Sequence, residues 1–280
     1  MIHITHKEFK IPALGYGTWQ MRDQECLTGV QKALEIGYRH IDTAQIYENE
    51  EQVGQAIKDS GIDRKEIFLT TKIWMSNVRD GALQKSLDVS LKKLKTDYVD
   101  LLLIHWPVKE TPFKEQMDAL QDVKNDGRTK LIGVSNFTVA QMTEVVEELG
   151  IELATNQVEY HPFLNQTPVY DFLTEHGMFL TAYSPLARGK INAEKDLAAL
   201  AHKYGKTIGQ IALRWLVQQE EVAAIPKAAS EKHMRENFEI FDFTLDETDM
   251  KIIHALAHEG GRLINPDWAP SWDTHPEARA

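Results

Sequence analysis

The chain has 280 residues, 42 % of them hydrophobic, which is enough to bury a full-sized core and excludes disordered and collagen-like classes. Its formal net charge is -11 with acidic and basic residues interspersed, which argues against a nucleic-acid surface and leaves any anionic ligand in need of a local basic pocket. A single cysteine, Cys26, excludes an internal disulfide and fits a reducing compartment.

The first ten residues carry no apolar run long enough for a signal peptide, and no stretch approaches the ~20 apolar residues of a membrane span. A cytoplasmic protein without a membrane partner is expected. The first apolar run, 13–19, contains Gly15-Tyr16-Gly17, but Thr18 and Trp19 follow and the third glycine of a dinucleotide fingerprint is missing. These glycines read as close backbone packing at a strand end. Leu27, Val30 and Leu34 mark the next helix, with Gly37 suited to its left-handed cap. Continuous apolar runs at 40–44 and 67–73 read as strands buried on both faces. Leu83, Leu87, Leu91 and Leu94 then form one face of a helix, and 98–105 is the fourth strand. The run 131–135 leads into a helix carrying Val139, Met142, Val145, Val146 and Leu149, opened by a capping box at Thr138/Gln141. Strands follow at 153–159, 178–183 and 222–226, and further capping boxes stand at Thr207/Gln210 and Thr244/Glu247. From 260 to 280, Pro266, Pro270 and Pro276 mark an irregular tail.

Eight strand-then-helix units in a chain of this length predict an α/β fold, a closed (β/α)8 TIM barrel forming one domain over 1–280. In such a barrel, catalytic groups come from the carboxyl ends of strands. Asp42, Lys72 and His105 sit at such ends on three successive strands, which predicts equivalent heights on neighbouring strands, and Tyr47 follows in the loop after Asp42. A phenol with an ordinary pKa near 10 is a poor acid at neutral pH, and a nearby lysine is expected to lower it while a carboxylate holds that lysine charged. Reduction of a carbonyl needs a proton at an oxygen that becomes an alkoxide. Tyr47 therefore reads as the general acid, Lys72 as its tuner, Asp42 as the anchor of Lys72, and His105 as the group that orients the carbonyl oxygen. Taken singly, each has a plainer reading as a rim ion pair, a core histidine or a loop aromatic. The four together favour catalysis.

At these residues the sequence resembles the aldo-keto reductase superfamily. The resembling segments are Gly15-Tyr16-Gly17-Thr18-Trp19, Gly37-Tyr38-Arg39-His40-Ile41-Asp42-Thr43-Ala44, Thr71-Lys72-Ile73-Trp74, Leu103-Ile104-His105-Trp106-Pro107, Ile132-Gly133-Val134-Ser135-Asn136-Phe137, Asn156-Gln157, Tyr183-Ser184-Pro185-Leu186 and Ile225-Pro226-Lys227. Within the superfamily, Asp42-Thr43-Ala44-Gln45-Ile46-Tyr47 and the tail with Arg262-Leu263 and Trp272-Asp273 are most similar to prokaryotic 2,5-diketo-D-gluconate reductases. The resemblance implies an NADPH-dependent reductase of small aldehydes and ketones: keto sugars, keto acids or dicarbonyls such as methylglyoxal; a monomer is expected because no long exposed apolar stripe is evident. It implies that Asp42, Tyr47, Lys72 and His105 are the catalytic tetrad. Ser135, Asn136 and Gln157 would bind the nicotinamide carboxamide, Tyr183 would stack on the ring, and Ser184 and Leu186 would contact the pyrophosphate side. Lys227 would meet the 2′-phosphate and Asn237 the adenine, with Trp19, Trp74 and Trp106 lining the substrate pocket.

Two positions depart from the pattern of strongly NADPH-selective members, which place a serine after the lysine and an arginine six residues beyond it. Here Ala228 and His233 stand there. Ser230 offers a hydroxyl, while Arg235 lies about 200° around the helix from position 233 and is a poor substitute. A mostly neutral histidine binds a dianion less well than arginine, so NADPH is expected to be favoured through Lys227 with NADH also accepted. The pocket is expected to be shaped by loops at 108–112 and 187–192 and by the tail from Gly260. No metal is expected: the histidines are scattered without ligand spacing, and His161 and His176 read as loop residues. Two other classes are weighed on the same scaffold, a Schiff-base aldolase using Lys72 and a regulatory cofactor-binding subunit.

Overall fold

Runs rich in Val, Ile and Leu suit strands whose two faces are both buried, and that is how this chain uses them. The computed structural model describes residues 1–79 and 81–273. It opens with an antiparallel hairpin, β1 (His3–His6) and β2 (Phe9–Pro12), that the sequence reading did not foresee. Eight further strands follow: β3 (Tyr16–Gly17), β4 (His40–Asp42), β5 (Phe68–Ile73), β6 (Val99–Ile104), β7 (Thr129–Ser135), β8 (Thr155–Glu159), β9 (Phe179–Tyr183) and β10 (Val222–Ala224). Each lies within or beside its predicted run, and all pair in parallel in strict sequence order.

The sheet curls until its edges meet. Gly15 N–H donates to Ala224 O (2.8 Å), Ala224 N–H to Ala13 O (2.8 Å) and Gly17 N–H to Pro226 O (3.0 Å). A Cβ at Gly17 would stand 2.7 Å from Ile225 O, so the close packing read at this glycine is what the seam requires. The curled eight-stranded parallel sheet with its helices is consistent with a (β/α)8 barrel.

Helices intervene between the strands, α1 (Asp23–Ile36), α2 (Glu50–Asp59), α3 (Ala82–Leu94), α4 (Phe113–Asn125), α5 (Val139–Thr143), α6 (Thr167–Glu175), α7 (Lys195–Tyr204) and α8 (Ile208–Gln218), and α9 (Glu231–Phe238) and α10 (Glu247–His254) follow the last strand. All four predicted leucines of α3 are buried, and Gly37 caps α1 with φ 123°. The capping boxes at Thr138/Gln141 and Thr207/Gln210 form as expected, the first opening α5, which runs on into a wider turn over Glu144–Glu148. The box expected at Thr244/Glu247 does not form. Asp246 is the N-cap of α10, its side chain accepting from Asp249 N–H, and Thr244 Oγ1 accepts from Arg214 instead. A carboxylate two residues closer to the helix outcompetes the hydroxyl as cap.

The hairpin packs at the amino-terminal end of the sheet, where His6 bonds Gly177 O and its ring meets Phe179 edge-on. Beyond α10 the chain is irregular apart from one short turn at Glu259–Gly261, as expected, and residues 274–280 of the expected tail lie outside the described residues. No helix of the described residues is long and apolar enough to cross a membrane.

Candidate active site

The spacing of Asp42, Lys72 and His105 brings them together, but not at one register. Asp42 pairs with Thr70, so Lys72 stands two residues further along its strand; Lys72 pairs with Leu103, so His105 stands two further again. The expectation of equal heights is corrected to a stagger of two residues per strand. Strands in a curled sheet tilt against its axis, and an even offset preserves the two-residue alternation, so all three side chains keep the same face.

Lys72 is fully buried and its ammonium has three acceptors: Asp42 Oδ1 at 2.5 Å, Thr43 O at 2.9 Å and the Tyr47 hydroxyl oxygen at 3.4 Å. The other Asp42 oxygen accepts from Gln157 Nε2 at 2.8 Å. A lysine that donates to the phenol oxygen leaves the phenol's own proton free to leave in another direction. Burial, and then the Asp42 carboxylate, push Tyr47 well above the usual phenol range. The expected net lowering by Lys72 is therefore corrected: burial dominates at the phenol, and the Asp42 carboxylate adds to it. Burial also draws Lys72 below the usual lysine range, with Asp42 opposing. Tyr47 thus keeps its proton at neutral pH, the state an acid must start from.

His105 is held neutral, well below the usual imidazole range, by burial and by Lys72. Its ring stands edge-on to Tyr47 and Trp74, with centroids 5.7 and 5.3 Å away. Its Nδ1 is buried with no hydrogen-bond partner. An orphaned N–H is rarer than an orphaned acceptor, so the ring proton belongs on Nε2, making His105 a neutral N–H donor.

These groups open into a cavity of ≈ 480 Å³, within the range of small-molecule sites. Asp42, Tyr47 and His105 line it, as do the three expected aromatics Trp19, Trp74 and Trp106. Of the expected cofactor contacts, Asn136, Gln157, Tyr183, Ser184, Leu186 and Lys227 reach its wall. Asn136 turns the chain with φ 64°, a conformation asparagine tolerates, and its amide donates to His105 O (3.0 Å) while accepting from the Tyr183 hydroxyl (2.8 Å).

Ser135, Ser230, His233 and Asn237 are not brought to that wall. Ser135 lies beneath Asn136, donating to Gln157 O at 2.8 Å. Ser230 caps α9 by accepting from His233 N–H, His233 is exposed, and Asn237 is buried on the same helix. Two buried tyrosines tie this region to the sheet, Tyr16 donating to Ala228 O (2.7 Å) and Tyr38 to Met234 O (2.9 Å). Arg235 pairs with Glu231 at 2.7 Å, in line with its reading as no substitute at position 233.

The loop at 108–112, expected to shape the pocket, does not contribute to the described wall: Val108 O and Thr111 O accept from Gln116 and steady the start of α4. Arg188 and Ile264 do contribute, from the other two segments expected to do so. Among the described residues, no group of three or more His, Cys, Asp or Glu is placed to hold a metal ion. His161 is buried, bonding Glu159, and His176 stacks on Phe172 at the end of α6.

Sequence reasoning passed over Glu159, whose signal was a carboxylate closing a predicted strand. It is fully buried, its oxygens accepting from Leu263 N–H (2.7 Å), Ile264 N–H (2.9 Å) and His161 Nε2 (2.9 Å). This one side chain fixes the tail that supplies Ile264 to the cavity. Further along, Asp273 accepts from Val139 N–H (3.1 Å) and Trp272 meets Trp106 edge-on. Glu159→Gln places an N–H where a backbone N–H must be accepted. We expect a loss of about 1–3 kcal/mol of stability and a raised KM with a kcat changed far less, read by thermal unfolding and steady-state kinetics. Unchanged melting and KM would refute the anchor.

Residues 13–258 match the model of the Aldo/keto reductase family. The chain is 42 % identical over 267 residues to Methylglyoxal reductase DkgB of Escherichia coli O157:H7, covering 94 % of this chain and 99 % of that protein. It is 38 % identical over 260 residues to Methylglyoxal reductase DkgA of Escherichia coli (strain K12), covering 92 % and 93 %. Among solved structures, one assigned as a 2,5-diketo-D-gluconic acid reductase B superposes with a TM-score of 0.95 at 47 % identity, covering 98 % of each chain. The aldo/keto reductase of Brucella melitensis gives 0.87 at 44 % identity, covering 91 % of this chain and 99 % of that one.

Proposed function

Because this chain belongs to the aldo/keto reductase family, a family that uses NAD(P)H, we propose that it reduces small aldehydes and ketones to alcohols with Tyr47 as the proton donor. The observation that carries this reading is the Lys72 ammonium shared between Asp42 and the Tyr47 oxygen at the wall of the cavity.

The residues present fit a nicotinamide nucleotide. Two side-chain amides, Asn136 and Gln157, and the flat ring of Tyr183 line the cavity, and the Lys227 cation stands at its wall. A reduced nicotinamide, when bound, supplies the hydride that adds to the carbonyl carbon. The protein's part is acid chemistry. The His105 N–H and the Tyr47 hydroxyl together orient the carbonyl oxygen, and the Tyr47 O–H bond breaks as that oxygen gains electrons. The Lys72 ammonium stabilises the resulting phenolate, and Asp42, held from its other side by Gln157, keeps the ammonium in place. The Schiff-base alternative finds no support here, because all three Lys72 protons have acceptors.

The names of its relatives and the Trp-lined wall support methylglyoxal-type dicarbonyls and 2,5-diketo-D-gluconate-type keto acids as substrates. We place the enzyme in the cytosol as a monomer, a single barrel unit over 1–280. We further propose NADPH as the preferred cofactor with NADH accepted. His233→Arg is expected to raise the ratio of kcat/KM for NADPH over NADH by roughly 10- to 100-fold, the worth of one charge-assisted contact. An unchanged ratio would remove position 233 from phosphate recognition. The reading as a whole is tested by following nicotinamide absorbance with NADPH or NADH and a panel of small carbonyls; consumption of neither cofactor would reject it.

A further inference from the structure

In a chain with 42 acidic and 31 basic residues, arginines find carboxylates easily. Arg22, Arg64, Arg79, Arg128 and Arg235 each pair with one. Arg188, like Arg39, Arg214 and Arg262, is not among the described ion pairs, but of these four it is the one that lines the described cavity, and its guanidinium lies 4.6 Å from the centroid of Trp19. Both residues line the cavity. Only one carboxylate, Asp42, belongs to the described wall, and both its oxygens are taken by Lys72 and Gln157. This stretch of the wall is therefore cationic and lacks its counter-charge.

The backbone around Arg188 is built to hold it there. Ala187, Arg188 and Gly189 run through φ values of 46°, 51° and 85°. The turn is closed by Ala187 N–H to Ser184 O (2.9 Å) and Gly189 N–H to Leu186 O (2.8 Å). Non-glycine residues in left-handed conformations are uncommon, and such runs persist where surrounding structure enforces them, often at ligand sites. A guanidinium set against a ring is also restrained by it, while its N–H donors along the edge stay free for an oxyanion.

We propose that Arg188 is an oxyanion-recognition residue of this cavity, accepting either the diphosphate of the nicotinamide nucleotide or the carboxylate of an oxo-acid substrate. The proposal rests on the carbonyl-reductase reading above. Its position two residues beyond Leu186, itself in the wall, puts it on the same loop as the expected contacts to the pyrophosphate side.

The test uses Arg188→Gln and Arg188→Lys beside the wild type. Arg188 is exposed and outside the tetrad, so both variants are expected to fold. Two readouts separate the sources: the Kd for NADPH from quenching of tryptophan fluorescence at two salt concentrations, and KM at saturating NADPH for benzaldehyde and 4-carboxybenzaldehyde. If the diphosphate is the partner, Arg188→Gln raises the NADPH Kd by about tenfold and flattens its salt dependence, leaving both KM values unchanged. If the substrate carboxylate is the partner, KM rises about tenfold for 4-carboxybenzaldehyde alone. Arg188→Lys is expected to recover part of either loss, since it keeps the charge without the flat fork. Unchanged Kd and unchanged KM values in Arg188→Gln overturn the proposal while leaving the reductase reading intact. Wild-type protein that neither binds nor oxidises NADPH sinks the reductase reading itself, and this proposal with it.

Discussion

Tyr47→Phe is expected to lower kcat for carbonyl reduction by about two to four orders of magnitude, the usual worth of a positioned general acid. The hydroxyl receives one long hydrogen bond, from Lys72 at 3.4 Å, so its removal breaks no strong contact of the fold. Melting temperature and NADPH affinity should therefore stay close to wild type. Stopped-flow reduction under single-turnover conditions, paired with a binding titration, separates chemistry from binding. A variant within threefold of wild type would show that the proton comes from elsewhere, with His105 the next group to test. Because burial and Asp42 hold Tyr47 well above the ordinary phenol range, the free wild-type enzyme should lose its acid form only in strongly alkaline solution.

Lys72→Met should affect both activity and stability. Its ammonium is fully buried and lies 2.5 Å from an Asp42 carboxylate that is itself buried. Removing one partner of such a pair costs about 3–5 kcal/mol, because the remaining charge keeps its desolvation penalty. The Asp42 oxygen that accepts from Gln157 retains its partner, which argues for the lower part of that range. Activity should fall by about two orders of magnitude or more, since the phenolate formed on proton transfer loses its neighbouring cation. The double variant Asp42→Asn/Lys72→Met separates the two effects. Stability should recover, because the stranded charge is gone, while activity should not. Recovery of activity together with stability would reduce Lys72 to a structural lysine.

Much of the site was legible in the sequence for a simple reason. One strand-and-helix unit occupies about thirty residues, so Asp42, Lys72 and His105, spaced 30 and 33 apart, had to fall on three neighbouring strands. Their two-residue stagger was not legible, because tilt against the axis belongs to the curled sheet and to no single strand. The glycine seam was legible at Gly17, where no side chain fits. The hairpin at the start was not, since its strands are only four residues each. Thr244 shows the limit of local motifs: it carries the sequence of a capping box, yet Arg214 claims its hydroxyl and Asp246 caps the helix.

Alone, the order of apolar runs, the helical spacing of the leucines and the four polar residues at strand ends determined the element order and the chemistry to expect. These rest on periodicity and residue type, which are properties of neighbours along the chain. Only the tertiary structure decided how each polar group is spent. Tyr47 keeps its proton because burial, and then the Asp42 carboxylate, disfavour its phenolate; Ser135 is turned beneath Asn136; Glu159 gathers the backbone of a tail more than a hundred residues away. Such outcomes depend on distances, burial and competition for donors, and these come into being only when remote segments are packed together.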